Sequence, residues 1–347
     1  MTRPTQTKQW HLISRPTGLP TYEGNNPTFT LKTVDLPSLG KGQVLLKPLF
    51  FSNDPAQRAW LDDNTLSYVP PVPLNGPMRA RGIAEVVESA SDKVKVGDRV
   101  TATLGWTEYV VLGEEEVAVL PDPPKGLSWS QYIGALGTTG LTAYYGLVEV
   151  GQVKKGQSVV VSGAAGATGN MAVQIAKGIL GCSKVIGLAG SAEKCRWVES
   201  IGADKCINYK DQDWHAQLEN ACDGGVDVYF DNVGGEILDA MLRLVKQNGI
   251  IVACGGISGY NDQEPTVLKN YMQIVFMRLS VRGFITTDFM ATAKQTQELF
   301  VRSVEEGKLK IGDEQEQVVD TKFEEVPKTW LMLFGGGNRG KLITKLM

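Results

Sequence analysis

Hydrophobic and polar positions fall into two textures along the chain. In the first part, short apolar and β-branched runs, such as Gln43-Val44-Leu45-Leu46-Lys47, Gly82-Ile83-Ala84-Glu85-Val86-Val87 and Asp98-Arg99-Val100-Thr101-Ala102, are separated by turn formers at Leu39-Gly40-Lys41-Gly42, Val96-Gly97-Asp98 and Pro121-Asp122-Pro123-Pro124. That spacing predicts short antiparallel strands in a barrel-like β domain. The stretch from Pro70 to Pro77 breaks any helix and predicts an ordered loop. From Ser128 onward the pattern changes. Strand-like runs at 157–162, 184–189, 226–230, 250–254 and 280–285 alternate with helical periodicity at 168–179, 192–201, 235–247 and 267–278. Such alternation predicts an α/β domain with a doubly wound parallel sheet. After residue 300 come a charged helix and a strand at 341–346, so the tail is expected to return to the first domain. The expected organisation is a β domain over 1–130 completed by 302–347, and a nucleotide-binding domain over 131–301.

A chain of 347 residues suits two domains, and 42% hydrophobic with 21% charged residues excludes a disordered or fibrous reading. The net charge of −3, with no block of Lys or Arg, argues against nucleic acid as a partner. The N-terminus lacks an apolar signal core, and no uncharged stretch reaches the ~18 residues of a membrane helix, which implies a soluble, cytoplasmic protein with no membrane partner. Five cysteines, all between Cys182 and Cys254, then read as free thiols.

The first chemical signal lies where the strand at 157–162 runs into a helix through Gly163-x-x-Gly166-x-x-Gly169. Glycine lets the backbone approach a pyrophosphate, and open amides at a helix N-terminus favour its charge. The spacing departs from the commoner G-x-G-x-x-G, so an ordinary tight turn is the competing reading; the strand before and helix after favour a dinucleotide. The second strand ends Gly187-Leu188-Ala189-Gly190-Ser191 with no acid at its tip, and Lys194 follows within one turn. A carboxylate there would hold the 2′-hydroxyl of NADH, whereas small residues and a lysine suit the 2′-phosphate of NADPH.

Further motifs extend the picture: Ser52-Asn53-Asp54-Pro55, Met78-Arg79-Ala80-Arg81-Gly82, Gly137-Thr138-Thr139-Gly140-Leu141-Thr142-Ala143-Tyr144, Asn208-Tyr209-Lys210, Phe230-Asp231-Asn232-Val233-Gly234-Gly235, Cys254-Gly255-Gly256-Ile257-Ser258-Gly259-Tyr260-Asn261 and Asn338-Arg339-Gly340-Lys341. With these the chain resembles the zinc-independent medium-chain dehydrogenase/reductases, in particular the leukotriene B4 12-hydroxydehydrogenase (prostaglandin reductase) and alkenal double-bond reductase family. The resemblance implies a GroES-like β-barrel domain beside a Rossmann domain, NADPH as cofactor, and a homodimer. It implies that Gly166, Ala167, Thr168 and Gly169 hold the pyrophosphate, while Lys194 and Tyr209, beside Gly190, clasp the 2′-phosphate. Asn232, the run Cys254, Gly255, Gly256, Ile257, Ser258 to Tyr260, the run Phe284, Ile285, Thr286, and Asn338 would line the rest of the cofactor.

No cysteine precedes Cys182, and the only histidines are His11, expected on the surface near the terminus, and His215, expected on a helix face, so no metal site is expected. Without a Lewis acid, reduction of a conjugated C=C bond is the chemistry that needs least help, because charge moves onto a carbonyl oxygen that hydrogen-bond donors can hold. The expected reaction is hydride transfer to the β-carbon of an α,β-unsaturated ketone or aldehyde. Tyr260 would donate a hydrogen bond to the enolate or supply its α-proton; packing against the cofactor is its other reading. Asn53, Ala56, Tyr68 and Met78 are candidates for the substrate pocket, with Ala56 standing where many members of that family carry a tyrosine. The alternatives are an NADPH:quinone oxidoreductase and a catalytically silent NADPH-binding adaptor.

Overall fold

The computed structural model describes residues 3–63, 67–262, 264 and 267–347. The chain divides into two compact units, one formed by Met1–Ile133, Gln317–Asn338 and Leu342–Met347, the other by Gly134–Glu316 and Arg339–Lys341.

In the first unit, strands β1 (Gln6–Leu12) and β2 (Phe29–Asp35) pair antiparallel. Strands β3 (Gln43–Ser52), β4 (Arg81–Ser89), β5 (Arg99–Thr103), β6 (Val110–Gly113) and β7 (Ala118–Val119) join the tail strands Glu316–Thr321 and Lys341–Leu346 in a seven-stranded sheet. Long β3 bonds to β4, β6 and the last tail strand, and its register slips between Pro48 and Phe50, as a residue without an N–H requires. Three tryptophans anchor the core. Trp330 meets the rings of Trp106, Phe29 and Phe334 edge-on at 5.6, 6.1 and 5.2 Å and donates its indole N–H to Asp54 O at 3.2 Å; Trp10 donates to Phe323 O.

The second unit opens with helix α1 (Thr138–Tyr145) and continues through β8 (Ser158–Val161), α2 (Ala167–Gln174), β9 (Lys184–Ala189), α3 (Ala192–Ser200), β10 (Lys205–Asn208), α4 (Trp214–Ala221), β11 (Val226–Asp231), α5 (Gly235–Met241), β12 (Val245–Ala253), α6 (Met272–Phe276), β13 (Ser280–Gly283) and α7 (Ala293–Glu305). The six strands are parallel, in the order β10-β9-β8-β11-β12-β13. The chain therefore winds outward from β8 in one direction and from β11 in the other. This is a doubly wound sheet whose strand order reverses between β8 and β11, where such folds leave a crevice beyond the strand ends. Its strands are nearly all apolar, as a sheet covered on both faces demands.

Several elements differ from the sequence expectation. The helix expected over 235–247 stops at Met241, because Leu244 and Val245 continue its apolar spacing but Val245 pairs with Val226 as a strand. Of 267–278, only Met272–Phe276 is α-helical. Strand β10 and helix α1 had no counterpart among the predicted elements, whereas His215 lies in helix α4, on a helix as expected. His11 is buried within β1, its ring nitrogens 2.6 Å from Asn75 O and 3.0 Å from Gln9 Oε1, rather than lying on the surface. Among the described residues no helix is long and apolar enough to cross a membrane.

Candidate functional site

The glycine turn leaves β8 with Gly163 at φ 58°, a conformation that favours glycine. Gly166 N–H donates to Gly163 O at 2.9 Å, and a Cβ on Gly169 would stand 2.1 Å from the same carbonyl oxygen. The first turn of α2 is thus pressed against the loop and tolerates no side chain at Gly169. No side chain caps α2, and a parallel bridge between Gly166 and Gly340 lies at the start of the helix. Behind the turn, Ala164 N donates to Leu188 O and Gly340 N to Ala165 O, at 2.9 and 2.8 Å. The neighbouring Arg339 lies over the Trp197 ring of α3 at 5.3 Å.

At the end of β9, Ser191 caps α3 by accepting from Lys194 N at 3.2 Å. A Cβ on Gly190 would lie 2.6 Å from the phenol oxygen of Tyr209, so only glycine leaves that hydroxyl its place over the strand tip. Burial pushes the Tyr209 phenol up, which keeps it a donor at neutral pH. Half-buried Lys194 is held below the usual lysine range, chiefly by desolvation and then by the nearby charge of Lys210. Two cations and a phenol therefore gather around a strand tip that bears no acid of its own. Lys210 is a residue the sequence reading quoted but gave no role.

Across the switch point, Asn232 turns its amide back onto Ser162 O at 2.7 Å while its N–H donates to Ser162 Oγ at 2.9 Å. Cys254 N and Gly255 N donate to Asp231 O, and Ile257 N and Ser258 N to Asn232 O and Val233 O. The loop after β12 is thereby stitched to the loop after β11. Tyr260 closes this second loop over itself, with its hydroxyl accepting from Gly256 N at 3.4 Å. Burial pushes the Cys254 thiol up to about 12, which makes it an inert thiol rather than a nucleophile. Phe284 packs with Phe230 against Gly146, where a Cβ would meet the two rings at 2.9 and 2.5 Å. Ile285 is half-buried, and Thr286 Oγ1 lies 2.5 Å from Thr142 Oγ1 of α1.

The remaining candidates lie in the first unit. Asn53 is buried and donates to Thr344 Oγ1 at 3.0 Å; Ala56 is half-buried in the 3-10 turn Pro55–Leu61. Tyr68 is exposed and its hydroxyl accepts from Trp60 Nε1 at 3.1 Å, whereas Met78 is fully buried in the core beside the tryptophans. Asn338 ends the unit's second segment, immediately before the residues that belong to the second unit. Arg58 is a structural cation, paired with Asp62 at 2.6 Å and bonded to Pro16 O. His215, in α4, stacks on Trp214 and lies 3.5 Å from Glu236. Among the described residues no three His, Cys, Asp or Glu side chains are grouped as metal ligands.

Comparison with known proteins gives two family models, the N-terminal domain of oxidoreductase over residues 8–120 and a zinc-binding dehydrogenase model over residues 167–303. The chain is 38% identical to the putative NADP-dependent oxidoreductase YfmJ of Bacillus subtilis and 36% identical to the NADPH-dependent curcumin reductase of Escherichia coli, each alignment covering 98% of this chain and 97% of the other. Among solved structures, CurA from Vibrio vulnificus in complex with NADPH superimposes with a TM-score of 0.88 at 33% identity, covering 98% of this chain and 99% of that one.

Proposed function

We propose, for a chain that belongs to the medium-chain dehydrogenase/reductase family together with the prostaglandin, alkenal and curcumin reductases, the NADPH-dependent reduction of the C=C bond of an α,β-unsaturated ketone or aldehyde. The observation that carries the cofactor is the tip of β9. Gly190 leaves room that a Cβ would fill, Tyr209 offers a protonated phenol, and Lys194 and Lys210 set two like charges close together with no acid at the tip. A dianionic 2′-phosphate relieves that repulsion; the bare 2′-hydroxyl of NADH does not. The E. coli relative is named as NADPH-dependent, and the Vibrio structure holds NADPH.

In this reading Gly166, Ala167, Thr168 and Gly169 take the pyrophosphate at the N-terminal turn of α2, and Asn232, Cys254–Tyr260, Phe284–Thr286 and Asn338 surround the nicotinamide half. Bound there, NADPH supplies the hydride that adds to the β-carbon of the substrate. Tyr260, anchored through its hydroxyl to Gly256 N, holds the carbonyl oxygen by a hydrogen bond or delivers a proton from Oη to the α-carbon. Asn53, Ala56, Tyr68 and Met78 are the proposed substrate-pocket residues, with Ala56 leaving room for a bulky enone. The zinc suggested by the description of one family model does not fit the donor set: no cysteine precedes Cys182, and the two histidines are paired elsewhere. With cofactor deuterated at the transferred position, the label is expected on the β-carbon of the saturated product. Label on the carbonyl carbon, with formation of an allylic alcohol, would contradict the reaction.

The protein would act as a cytoplasmic homodimer through its cofactor-binding units. Edge strand β13 exposes Val281 (49%), and Tyr271, Val275 and Phe276 beside it are 58%, 56% and 59% exposed. An open parallel edge flanked by large apolar side chains is satisfied by the same edge of a second copy. Sedimentation is expected at twice the 37.7 kDa chain mass, falling to the monomer in Val281→Lys; a monomeric wild type would refute the assembly.

A further inference from the structure

The carboxylate of Asp231 has no role in the reading above, yet Asp231 bonds to residues that follow β8, β11 and β12. The residue is 2% exposed at the C-terminal end of β11, beside the point where strand order reverses. Its Oδ1 accepts from Ser162 Oγ at 3.0 Å, Tyr229 Oη at 2.7 Å, Val233 N at 3.0 Å and Gly234 N at 2.9 Å. Its main-chain oxygen accepts from Cys254 N at 2.9 Å and Gly255 N at 3.1 Å. One residue thus ties together the ends of β8, β11 and β12. Apart from that to Tyr229, within β11, each tie leads directly to a loop of the site: Ser162 precedes Gly163 of the phosphate turn, Val233 and Gly234 follow Asn232, and Cys254 begins the loop that ends in Tyr260.

We propose that Asp231 is a positioning residue that sets the register between the pyrophosphate turn and the nicotinamide loops. The proposal rests on the cofactor reading given above. Gly234 sits at φ 69°, ψ −150°, a conformation open to glycine, and the bond from its N–H to the carboxylate holds it there. Ser162 works in both directions, donating to Oδ1 and accepting from Asn232 N, so the carboxylate also governs where Asn232 turns. Tyr229 is fully buried; burial and the adjacent carboxylate raise its phenol, so it remains a donor to that oxygen. An amide oxygen accepts more weakly than a carboxylate, so Asp231→Asn keeps the volume of the side chain while loosening all four bonds at once.

The consequence separates the two ends of the cofactor. Adenosine 2′-monophosphate, which lacks a 5′-phosphate, reaches only the 2′-phosphate and adenosine end at β9, whereas NADPH also needs the loops that Asp231 holds. Calorimetric titration of full-length Asp231→Asn is expected to show NADPH affinity lowered about tenfold, with adenosine 2′-monophosphate affinity within about twofold of wild type. A residue acting only on global stability would lower the thermal midpoint without moving that ratio. Unchanged NADPH affinity, or parallel loss of both ligands, overturns the proposal. Tyr229→Phe removes a single buried donor and serves where the first variant does not fold; a selective NADPH loss of about three- to tenfold is expected from one hydrogen bond, and no loss or a parallel loss overturns the proposal. A wild-type protein that binds neither ligand would overturn the cofactor reading and this inference with it. Wild-type binding of both, without a selective effect in the variants, would overturn this inference alone.

Discussion

Replacing Lys194 by alanine tests the 2′-phosphate reading at a half-buried cation beside the tip of β9. In the free protein the ammonium is half-buried, and desolvation followed by Lys210 holds its pKa below the ordinary value of 10.5. A hydrogen bond to a charged group contributes about 1.5–3 kcal/mol, which at about 1.4 kcal/mol per decade is roughly 10- to 150-fold in affinity. Lys210 and Tyr209 remain in the variant, so the lower half of that range is expected. Steady-state rates with a saturating enone should show kcat/KM for NADPH lowered about 10- to 50-fold, kcat nearly unchanged, and kcat/KM for NADH within about twofold of wild type. Lys194→Arg, which keeps the charge, should restore much of the preference. Equal loss with both dinucleotides, or no loss with NADPH, would refute the argument from charge.

Gly190→Ala puts a Cβ 2.6 Å from the Tyr209 hydroxyl, the far end of a flexible side chain, so the ring should swing away at little cost to folding. NADPH affinity is then expected to fall roughly 2- to 10-fold, the worth of one hydrogen bond, with the melting temperature nearly unchanged; a large stability loss would contradict this. The lowered pKa of Lys194 also fixes a pH dependence. Its protonated form binds the phosphate, so KM for NADPH should rise as pH climbs through that lowered value, at lower pH than for an ordinary lysine of pKa 10.5. Lys194→Ala should flatten that rise, and an identical profile in the variant would contradict the assignment. In the first unit, Trp330→Ala removes a fully buried indole packed on three aromatic rings and takes from Asp54 O one donor, leaving it Gln57 N. A loss of about 3–5 kcal/mol in urea unfolding is expected, and a loss under 1 kcal/mol would mean that the aromatic cluster is not the core's anchor.

The sequence displayed the framework more clearly than its exceptions. Strands β8, β9, β11 and β12 announced themselves as apolar runs bounded by turns, because a parallel sheet covered on both faces requires such runs. Strand β10 did not, since Lys205-Cys206-Ile207-Asn208 is too short and too mixed to carry a period. Helix α1 was hidden by Gly140, whose Cβ would lie 1.9 Å from Ala135 O and 3.1 Å from the Phe300 ring; there glycine serves close packing, against its own helix propensity. The exposed Tyr271, Val275 and Phe276 carried a core-like pattern on a surface. At the site, the glycine turn and the acid-free tip of β9 were readable because each is local. The approach of Lys210 to Lys194 and the hub at Asp231 depend on which strand ends become neighbours, and only the strand order supplies that.

The central claim is tested most directly by steady-state oxidation of NADPH against a linear alkenal, a cyclic enone, a cinnamyl ketone and a quinone, each repeated with NADH and with the products identified. Turnover of at least one enone to its saturated carbonyl, faster with NADPH than with NADH and faster than any quinone, is the predicted result. Turnover of the quinone alone, or tight NADPH binding with no turnover of any substrate, would contradict it.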